Sequence, residues 1–289
     1  MKVVTGKYMP ASYAGKEIAF LTRHGKQRVI APVLEGVLDC HVRHVDAFDT
    51  DKLGTFTREV PRLGTQLDAA RKKAHMAIEL SGLPLGLGSE GTFAPDPFIG
   101  MTAWNRELVV LIDQTRNLEV VGIAQGRGHH GHLVTSDWST LEAFAINAGF
   151  PAQQLVVRPC NEHDLRIVKD ICSWPELENA LAWAVSESEN GRAFIETDCR
   201  AHANPSRMQV IGQAAADLAS RLASLCPECG MPGFGSIDRI AGLPCSACGA
   251  PTRETRAWVV GCLKCTCRET HETAATVLAD PGRCDWCNP

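Results

Sequence analysis

The sequence has no run of 18 or more apolar residues, whereas a membrane-spanning helix needs about 20. Its beginning, MKVVTGKYMPASYAGKE, lacks the apolar segment of a secretory signal peptide. Apart from its CxxC pairs it contains no internal repeat, and no segment is of low complexity. These absences favour a cytoplasmic protein without a membrane partner.

An overall positive charge is also lacking. The formal net charge is -4, so nucleic acid is not expected as a partner. Residues 1–73 differ, because they contain 13 Lys and Arg against 8 Asp and Glu, an excess of five positive charges. That local excess suits an anionic ligand such as a nucleotide or another phosphorylated small molecule, although an ordinary solvated surface would give the same count. Whether the chain forms a homodimer stays open.

The order of apolar segments predicts an α/β fold, with a mixed sheet flanked by helices. A strand at 17–22 is followed by a polar turn, a helix ended by Gly36 and a second strand at 37–45. Residues 46–64 are rich in turn formers and predict a long loop of functional interest. Thr65 can cap the next helix. The composition shifts to Cys, Gly and Pro after Leu225, which predicts a large domain at 1–225 and a small one at 226–289.

The small domain contains nine of the 13 cysteines. Clustered CxxC pairs in a reducing compartment indicate metal binding rather than disulfides. Four thiolates match the tetrahedral preference of zinc and leave no coordination position for water, so we expect two structural zinc ions in a zinc-ribbon module. The predicted ligands are four CxxC pairs: Cys226 and Cys229, Cys245 and Cys248, Cys262 and Cys265, and Cys284 and Cys287.

Spacing alone does not assign the pairs to ions. Sequential pairing would give two stacked ribbons, and interleaved pairing would give a cross-brace. Cys267 could replace Cys265 or be a spare thiol. Residues 226–289 contain 6 Lys and Arg against 7 Asp and Glu, a net of -1, which favours a packing or partner-docking element over phosphate-backbone binding.

Polar residues in the large domain gather where strands end and helices begin. Thr22 and Lys26 lie in the turn between a strand and a helix, where a phosphate could bind. An acid at the carboxyl end of a strand, as Glu90 in the segment Ser89–Thr92, lies where α/β active sites usually form. The segment 196–207 precedes a long helix and contains many polar groups. Burying so many polar groups costs free energy, so they are expected to serve a function. Two more polar residues have ordinary structural explanations: Asp68 suits the first turn of a helix, and His202 suits a capping or core position.

These segments resemble the inosine triphosphate pyrophosphatase-like superfamily, which includes the Maf-type enzymes. The resemblance covers about 200 residues and is carried by the Thr22–Lys26 turn, the helix pattern of Gly64, Thr65, Asp68, Ala70, Lys73 and Ala74, the acidic segment Ser89–Thr92, the stretch GFPAQQLVVRP from Gly149, and Ser206–Met208. The whole chain, including its cysteine-rich end, also resembles a bacterial family of unknown function.

The superfamily resemblance implies a nucleoside triphosphate pyrophosphohydrolase that uses magnesium. It implies catalytic roles for Glu90, Asp68 and His202, with the two acids holding Mg²⁺ and polarising water. It implies phosphate binding by five residues: Thr22, Lys26, Lys73, Arg200 and Arg207. Two other interpretations stay open. One is a nucleotide or phosphate binder without catalysis, and the other is a scaffold or nucleic-acid-associated protein that acts through its zinc ribbon.

Overall fold

The structure is a computed structural model that describes residues 12–60, 64–96, 100 and 102–289. Residues 61–63 of the predicted 46–64 loop, and the segment inspected for a signal peptide up to residue 11, lie outside this part of the chain. The chain divides into two compact units, residues 13–219 and, with Ser12, residues 220–289. The division falls a few residues before the predicted boundary at 225/226. None of the helices in the described ranges is long and apolar enough to cross a membrane.

The first unit contains a mixed five-stranded sheet, as the sequence predicts. Its strands are β1 (Glu17–Leu21), β2 (His41–Val45), β3 (Leu85–Pro95), β4 (Ala103–Asp113) and β5 (Leu118–Arg127), in the order β2-β1-β3-β4-β5. β1 pairs in parallel with β2 and β3, whereas β4 pairs antiparallel with β3 and β5. The buried strand EIAFL and the apolar run of β4 form the centre of the core.

Helices α1 (Gln27–Leu38) and α2 (Gln66–Ser81) connect the parallel strands. Thr65 caps α2 through a capping box with Asp68, as predicted. The prediction that Gly36 ends α1 is wrong, because the helix continues to Leu38. Asp39, at φ 54°, takes the left-handed conformation that ends it.

Strand β3 is longer than the sequence suggests. The sequence places the segment Ser89–Thr92 at the carboxyl end of the strand, but it lies inside the strand. All of β3 pairs with β4, from Leu85 opposite Asp113 to Pro95 opposite Ala103. The pairing with β1 is shorter and ends at Leu87. Glu90 therefore still lies beyond the carboxyl end of the parallel part of the sheet.

A second, four-stranded antiparallel sheet belongs to the same unit. It consists of β6 (His132–Thr135), β7 (Leu155–Pro159), β8 (Val168–Ile171) and β9 (Ala193–Thr197), in the order β6-β9-β7-β8. Helices α3 (Trp138–Ala148) and α4 (Trp174–Glu187) supply apolar side chains to its core. The short, largely polar sequence of β8 gave no strand signal. Helix α5 (Pro205–Ala223) follows β9 after a short polar connection.

The second unit contains a three-stranded antiparallel sheet of β10 (Gly235–Ala241), β11 (Thr255–Gly261) and β12 (Arg268–Glu272). Its small core comprises Cys226, Cys262 and Cys267, packed against Met231 and Phe234. A unit with so little apolar interior needs another source of stability, such as bound metal.

Candidate functional site

Lys26 lies in the turn that follows β1, and its ammonium points toward β3. Nζ donates to the backbone oxygen of Ser89 at 3.1 Å and to Ser89 Oγ at 3.3 Å. The side chain is buried, and both of these partners are uncharged. Burial, together with the charges of Arg207 and Lys73, lowers the pKa of Lys26 to about 7. Lys26 is therefore a buried cation, and neither of these two hydrogen-bond partners supplies a compensating negative charge.

Lys73 reaches the same place from α2. Its Nζ lies 2.5 Å from Glu90 Oε2. The helix can come this close because β3 has glycines below it: a Cβ on Gly88 would collide with the Ala70 carbonyl. Burial raises the pKa of Glu90, but the charges of Lys73 and Lys26 outweigh that effect and lower it below its ordinary value. Glu90 is thus a buried, ionised carboxylate.

Arg207, in the first turn of α5, is anchored underneath this group. Its Nε donates to Glu107 Oε1 at 2.7 Å, and its Nη1 donates to the Cys199 carbonyl at 2.6 Å. Both side chains of this ion pair are essentially inaccessible to solvent, at 2% and 0%. The Phe56 ring lies over the guanidinium at 4.1 Å. A Cβ on Gly91 would collide with the pair, so the small residue makes room for it.

Arg200 enters from the connection after β9. Its Nη2 donates to Asp198 Oδ2 at 2.6 Å and to Asp170 Oδ1 at 2.8 Å. Asp198 is fully buried. These two carboxylates fix the position of the guanidinium and compensate much of its charge.

The tilted rings of two histidines lie against each other beside these cations. The ring centroids of His24 and His202 are 5.0 Å apart. His24 Nε2 lies 3.4 Å from Asp51 Oδ1, in the 3-10 turn Thr50–Leu53, and His202 Nε2 lies 3.2 Å from Asp170 Oδ1. Burial is the largest influence on His24 and lowers its pKa, so this imidazole is neutral at neutral pH.

A single cavity is lined by residues from all of these elements. The empty space between these side chains, counted out into open solvent, is about 490 Å³, of which about 30 Å³ can hold the centre of a water molecule. Its charged lining consists of four cations, Lys26, Lys73, Arg200 and Arg207, and two carboxylates, Asp51 and Glu90. With Lys26 protonated, the lining itself has two more cations than carboxylates, while Glu107, Asp198 and Asp170 outside the lining pair with Arg207 and Arg200. The cavity can accept an anion and, at its carboxylates, a cation that accompanies the anion.

The cavity continues into a wider, less charged pocket. The two share Phe56 and Glu90, and the second adds Phe93, His130 and Cys199 to its walls. Phe56 and Phe93 meet edge to face at 5.9 Å, and His130 lies 5.9 Å from Phe93. A flat aromatic group attached to the anion could stack here. Burial raises the pKa of the Cys199 thiol to about 12, so this cysteine is a neutral wall of the pocket and not a thiolate.

Most of the predicted site residues meet in the cavity. Six of the eight line it: Thr22, Lys26, Lys73, Glu90, Arg200 and Arg207. Asp68 does not. Its carboxylate accepts from Thr65 in the capping box and lies near Arg71, and the side chain is 53% exposed. His202 is not part of the lining either; it contacts the ring of His24, and Asp170 links it to Arg200.

Four residues of the site were missed from the sequence. Asp51 and Phe56 lie in the loop that was expected to be functional, but the loop sequence did not indicate which residues matter. His24 had been considered only as part of a phosphate-binding turn. Glu107 occurs within an apolar strand, and a lone acid in the run ELVVLI was the signal that a buried cation pairs with it.

The cysteines of the second unit form two clusters that could hold metal ions such as zinc. Cys226, Cys229, Cys262 and Cys265 form one cluster, and Cys245, Cys248, Cys284 and Cys287 form the other. The pairing is therefore interleaved, a cross-brace and not two sequential ribbons. Cys267 belongs to neither cluster, although it is buried beside the first. Of the two alternatives for Cys267, the geometry favours a spare thiol over a metal ligand that replaces Cys265.

Sulfur separations in both clusters fit a tetrahedral ion. Sγ atoms from different pairs lie 3.6 Å apart in the first cluster, and 3.6 and 3.8 Å apart in the second. Zinc–sulfur bonds of about 2.3 Å place the corners of a tetrahedron about 3.8 Å apart. Backbone amides point at the ligands: donation from Cys248 and Ala247 lowers the pKa of the Cys245 thiol to about 7. Such donors favour the thiolate form that binds metal.

A family model described as a domain of unknown function (DUF6671) matches residues 73–289. No curated protein and no solved structure matches the chain.

Proposed function

The chain belongs to the DUF6671 family, whose description names no activity, and we propose, from the cationic cavity described above, that residues 13–219 bind a nucleoside triphosphate and hydrolyse it with the help of magnesium. The convergence of Lys26, Lys73 and two arginines on one cavity carries the proposal. Phosphate groups concentrate negative charge, and a water-poor pocket strengthens each of these charge interactions.

Lys26 is the residue that most needs a ligand. Its buried ammonium bonds to a backbone carbonyl and a hydroxyl of Ser89, and neither balances its charge. A phosphate oxygen would supply that balance, and it would return the pKa of Lys26 toward its ordinary value. Arg207 is different, because Glu107 already compensates it. Arg207 would therefore position the ligand more than neutralise it.

The adjoining pocket supports a nucleotide over inorganic polyphosphate. Phe93 and His130 line it next to the cationic cavity, and a base could stack on these rings while its phosphates bind the cations. The resemblance to the inosine triphosphate pyrophosphatase-like superfamily supports the same activity, and we propose that fold for this unit.

Magnesium fits the oxygen ligands that the cavity offers. Glu90 and Asp51 both line it, and Mg²⁺ is usually bound by one or two carboxylates together with phosphate oxygens. When bound there it would neutralise charge on the phosphates. Asp68, which the sequence suggested as the second ligand, is committed to the cap of α2. With Glu90 holding the magnesium ion, Lys73 would leave Glu90 and bind a phosphate oxygen instead.

Binding and hydrolysis can be tested together. We expect nucleoside triphosphates with MgCl₂ to raise the melting temperature of the full-length protein and to release pyrophosphate or phosphate. Glu90→Gln should abolish release, whereas Glu79→Gln, a change on the exposed face of α2, should leave it intact. Stabilisation of the wild type without release would support a binder without catalysis. No stabilisation by any triphosphate would refute both.

The non-catalytic alternative has one observation in its favour. Glu90 is held by Lys73 at 2.5 Å, so its carboxylate is not free in this state. In a pure binder the ion pair would persist after the ligand binds. Lys73→Met would then weaken nucleotide binding as much with MgCl₂ as without it. In an enzyme whose Lys73 moves from Glu90 to a phosphate oxygen, the same variant would lose more affinity with MgCl₂ than without it.

For the second unit we propose two structural zinc ions, one in each cysteine cluster. Thiolate ligands stay reduced in a cytoplasm, which is where we propose that the protein works. Elemental analysis should find about two zinc ions per chain. Cys265→Ser should lose at least one ion, whereas Cys267→Ser, at the spare thiol, should keep both. Equal zinc contents in the two variants would contradict this assignment.

A further inference from the structure

We propose that one face of the three-stranded sheet in the second unit binds single-stranded nucleic acid, with a base stacked on Trp258 and phosphates bound by Arg239 and Arg256. The proposal concerns the second unit alone and does not depend on the triphosphate hydrolysis proposed above for the first. We call this surface the tryptophan face; it also includes Glu269 and His271.

The strand register brings these residues to one side of the sheet. Arg239 of β10 and His271 of β12 both lie directly opposite Trp258 of β11. Residues directly opposite each other in an antiparallel pair project from the same face, with Cβ atoms about 4.5–5.5 Å apart. Arg256 lies two residues before Trp258 on β11, so it projects from that face as well. The indole therefore has an arginine across from it and a second one along its own strand.

Trp258 is exposed although it is the largest apolar side chain of the sheet. Its exposed fraction is 47%. Ala257, whose side chain alternates to the opposite face, is fully buried, so the interior of the unit lies on the other side of the sheet. Arg239, Arg256 and His271 are exposed together with the indole. An aromatic ring on such an open platform can stack on any base, because every base has a flat face.

The two arginines of the tryptophan face differ from other arginines of the unit in their electrostatic compensation. Arg253 pairs with Asp285 at 3.2 Å, and Arg283 pairs with Glu254 at 2.7 Å. Among the described residues, no carboxylate forms such an ion pair with either arginine of the tryptophan face. Both guanidinium groups are therefore available to the phosphates of a ligand.

One acid lies on the same face and is already engaged. Glu269 Oε2 is 3.3 Å from His271 Nε2. Asp238 and Glu272 lie opposite Val259 and Ala257, so their side chains project from the other face. Two arginines against one carboxylate leave the tryptophan face with a local positive excess. The count over residues 226–289, a net of -1, favoured partner docking over phosphate binding because such a count does not show which charges are paired.

Single strands suit this arrangement better than a duplex or an apolar protein surface. The bases of a duplex are stacked on each other, so a duplex would meet the arginines through its phosphates and leave the indole unused. An apolar protein surface would cover the indole and leave both guanidinium groups without anions. A flexible strand offers flat bases and phosphates together, which is the combination that sequence-tolerant single-strand binding uses.

The test measures fluorescence anisotropy of labelled oligo(dT), oligo(U) and a duplex with the full-length protein, purified with zinc, at about 50 to 200 mM NaCl. Wild type should bind both single strands more tightly than the duplex. Trp258→Ala should weaken binding about 5- to 150-fold, and Trp258→Phe should keep most of the affinity. Arg239→Gln and Arg256→Gln should each reduce the salt dependence, log Kd against log salt concentration, by about 0.7.

Matched controls are Trp286→Ala, at a tryptophan that is 79% exposed, and Arg253→Gln, at an arginine that has a carboxylate partner. Both should bind like wild type, and an unchanged zinc content shows that each variant folds. The arginine variants keep the test decisive if alanine at 258 disturbs the sheet. No binding of either single strand at about 100 µM protein and about 50 mM NaCl would overturn the proposal. So would equal affinities of wild type and all tryptophan-face variants, which would place the ligand elsewhere on the chain.

Discussion

Replacing Lys26 by methionine should stabilise the ligand-free protein, although it removes two hydrogen bonds. The pKa of Lys26 is lowered from 10.5 to about 7 because the ammonium is buried and lies near Arg207 and Lys73. That difference corresponds to roughly 5 kcal/mol by which the folded state disfavours the charged side chain. Methionine fills similar space without a charge. We expect it to raise the free energy of unfolding at pH 7 by up to about 4 kcal/mol.

The sign of the pH dependence follows from the two pKa values. The unfolded chain keeps this proton up to a pH of about 10, whereas the folded chain releases it at about 7. Between these values the unfolded state binds more protons, so the free energy of unfolding should rise with pH, by at most about 1.4 kcal/mol per pH unit. The rise should be absent in Lys26→Met.

Urea unfolding at pH 6.5 to 9 would measure this difference. In a background of Trp258→Phe and Trp286→Phe, the remaining four of the six tryptophans lie in residues 13–219, so their fluorescence follows that unit. Lys72→Met, at the exposed neighbour of Lys73, is the control and should keep the slope of wild type. Parallel curves for wild type and Lys26→Met would refute the argument that Lys26 is a strained buried cation.

Two further predictions concern packing and charge under the site. Gly88→Val should destabilise the protein by more than about 3 kcal/mol, because its side chain would collide with α2. Its control is Gly36→Ala, where the added Cβ meets nothing within 4 Å and should stabilise the protein by about 0.5–1 kcal/mol; equal effects of the two variants in calorimetry would contradict this account. Glu107→Gln should lower the free energy of unfolding by about 3–5 kcal/mol, because it leaves Arg207 without its carboxylate partner. Glu119→Gln, at the partly exposed pair with Arg71, should lower it by only about 0–1 kcal/mol. Similar melting temperatures for these two variants would show that Arg207 does not depend on Glu107.

The part of the site that could be predicted is the part that local rules control. Lys26 follows a buried strand, Arg207 begins a helix, and Lys73 lies on a helix whose cap is visible in the sequence. The parallel arrangement of β1 and β3 brings such positions to one edge of a sheet. These residues could therefore be placed near each other before their contacts were known.

The rest of the site depends on tertiary contacts, which leave no periodic pattern in the sequence. Asp51 and Phe56 lie in a loop whose turn-forming residues are compatible with many conformations, so their positions are determined by what they pack against. The segment GLGSEG has weak strand preference, which is why the sequence places the end of the strand near Ser89. Full-length pairing with β4 overrides that local preference and extends β3 to Pro95.

The interleaved cysteines have a consequence for how the second unit assembles. Strand β10 runs from the first cluster toward the second, and β11 returns to the first, so the two ions would hold opposite ends of one hairpin. Whichever ion arrives first would have to order the hairpin, and the other would find its ligands already gathered. Loading should therefore be close to all-or-none, and the protein would alternate between an empty and a doubly occupied form, with few half-filled molecules at limiting zinc.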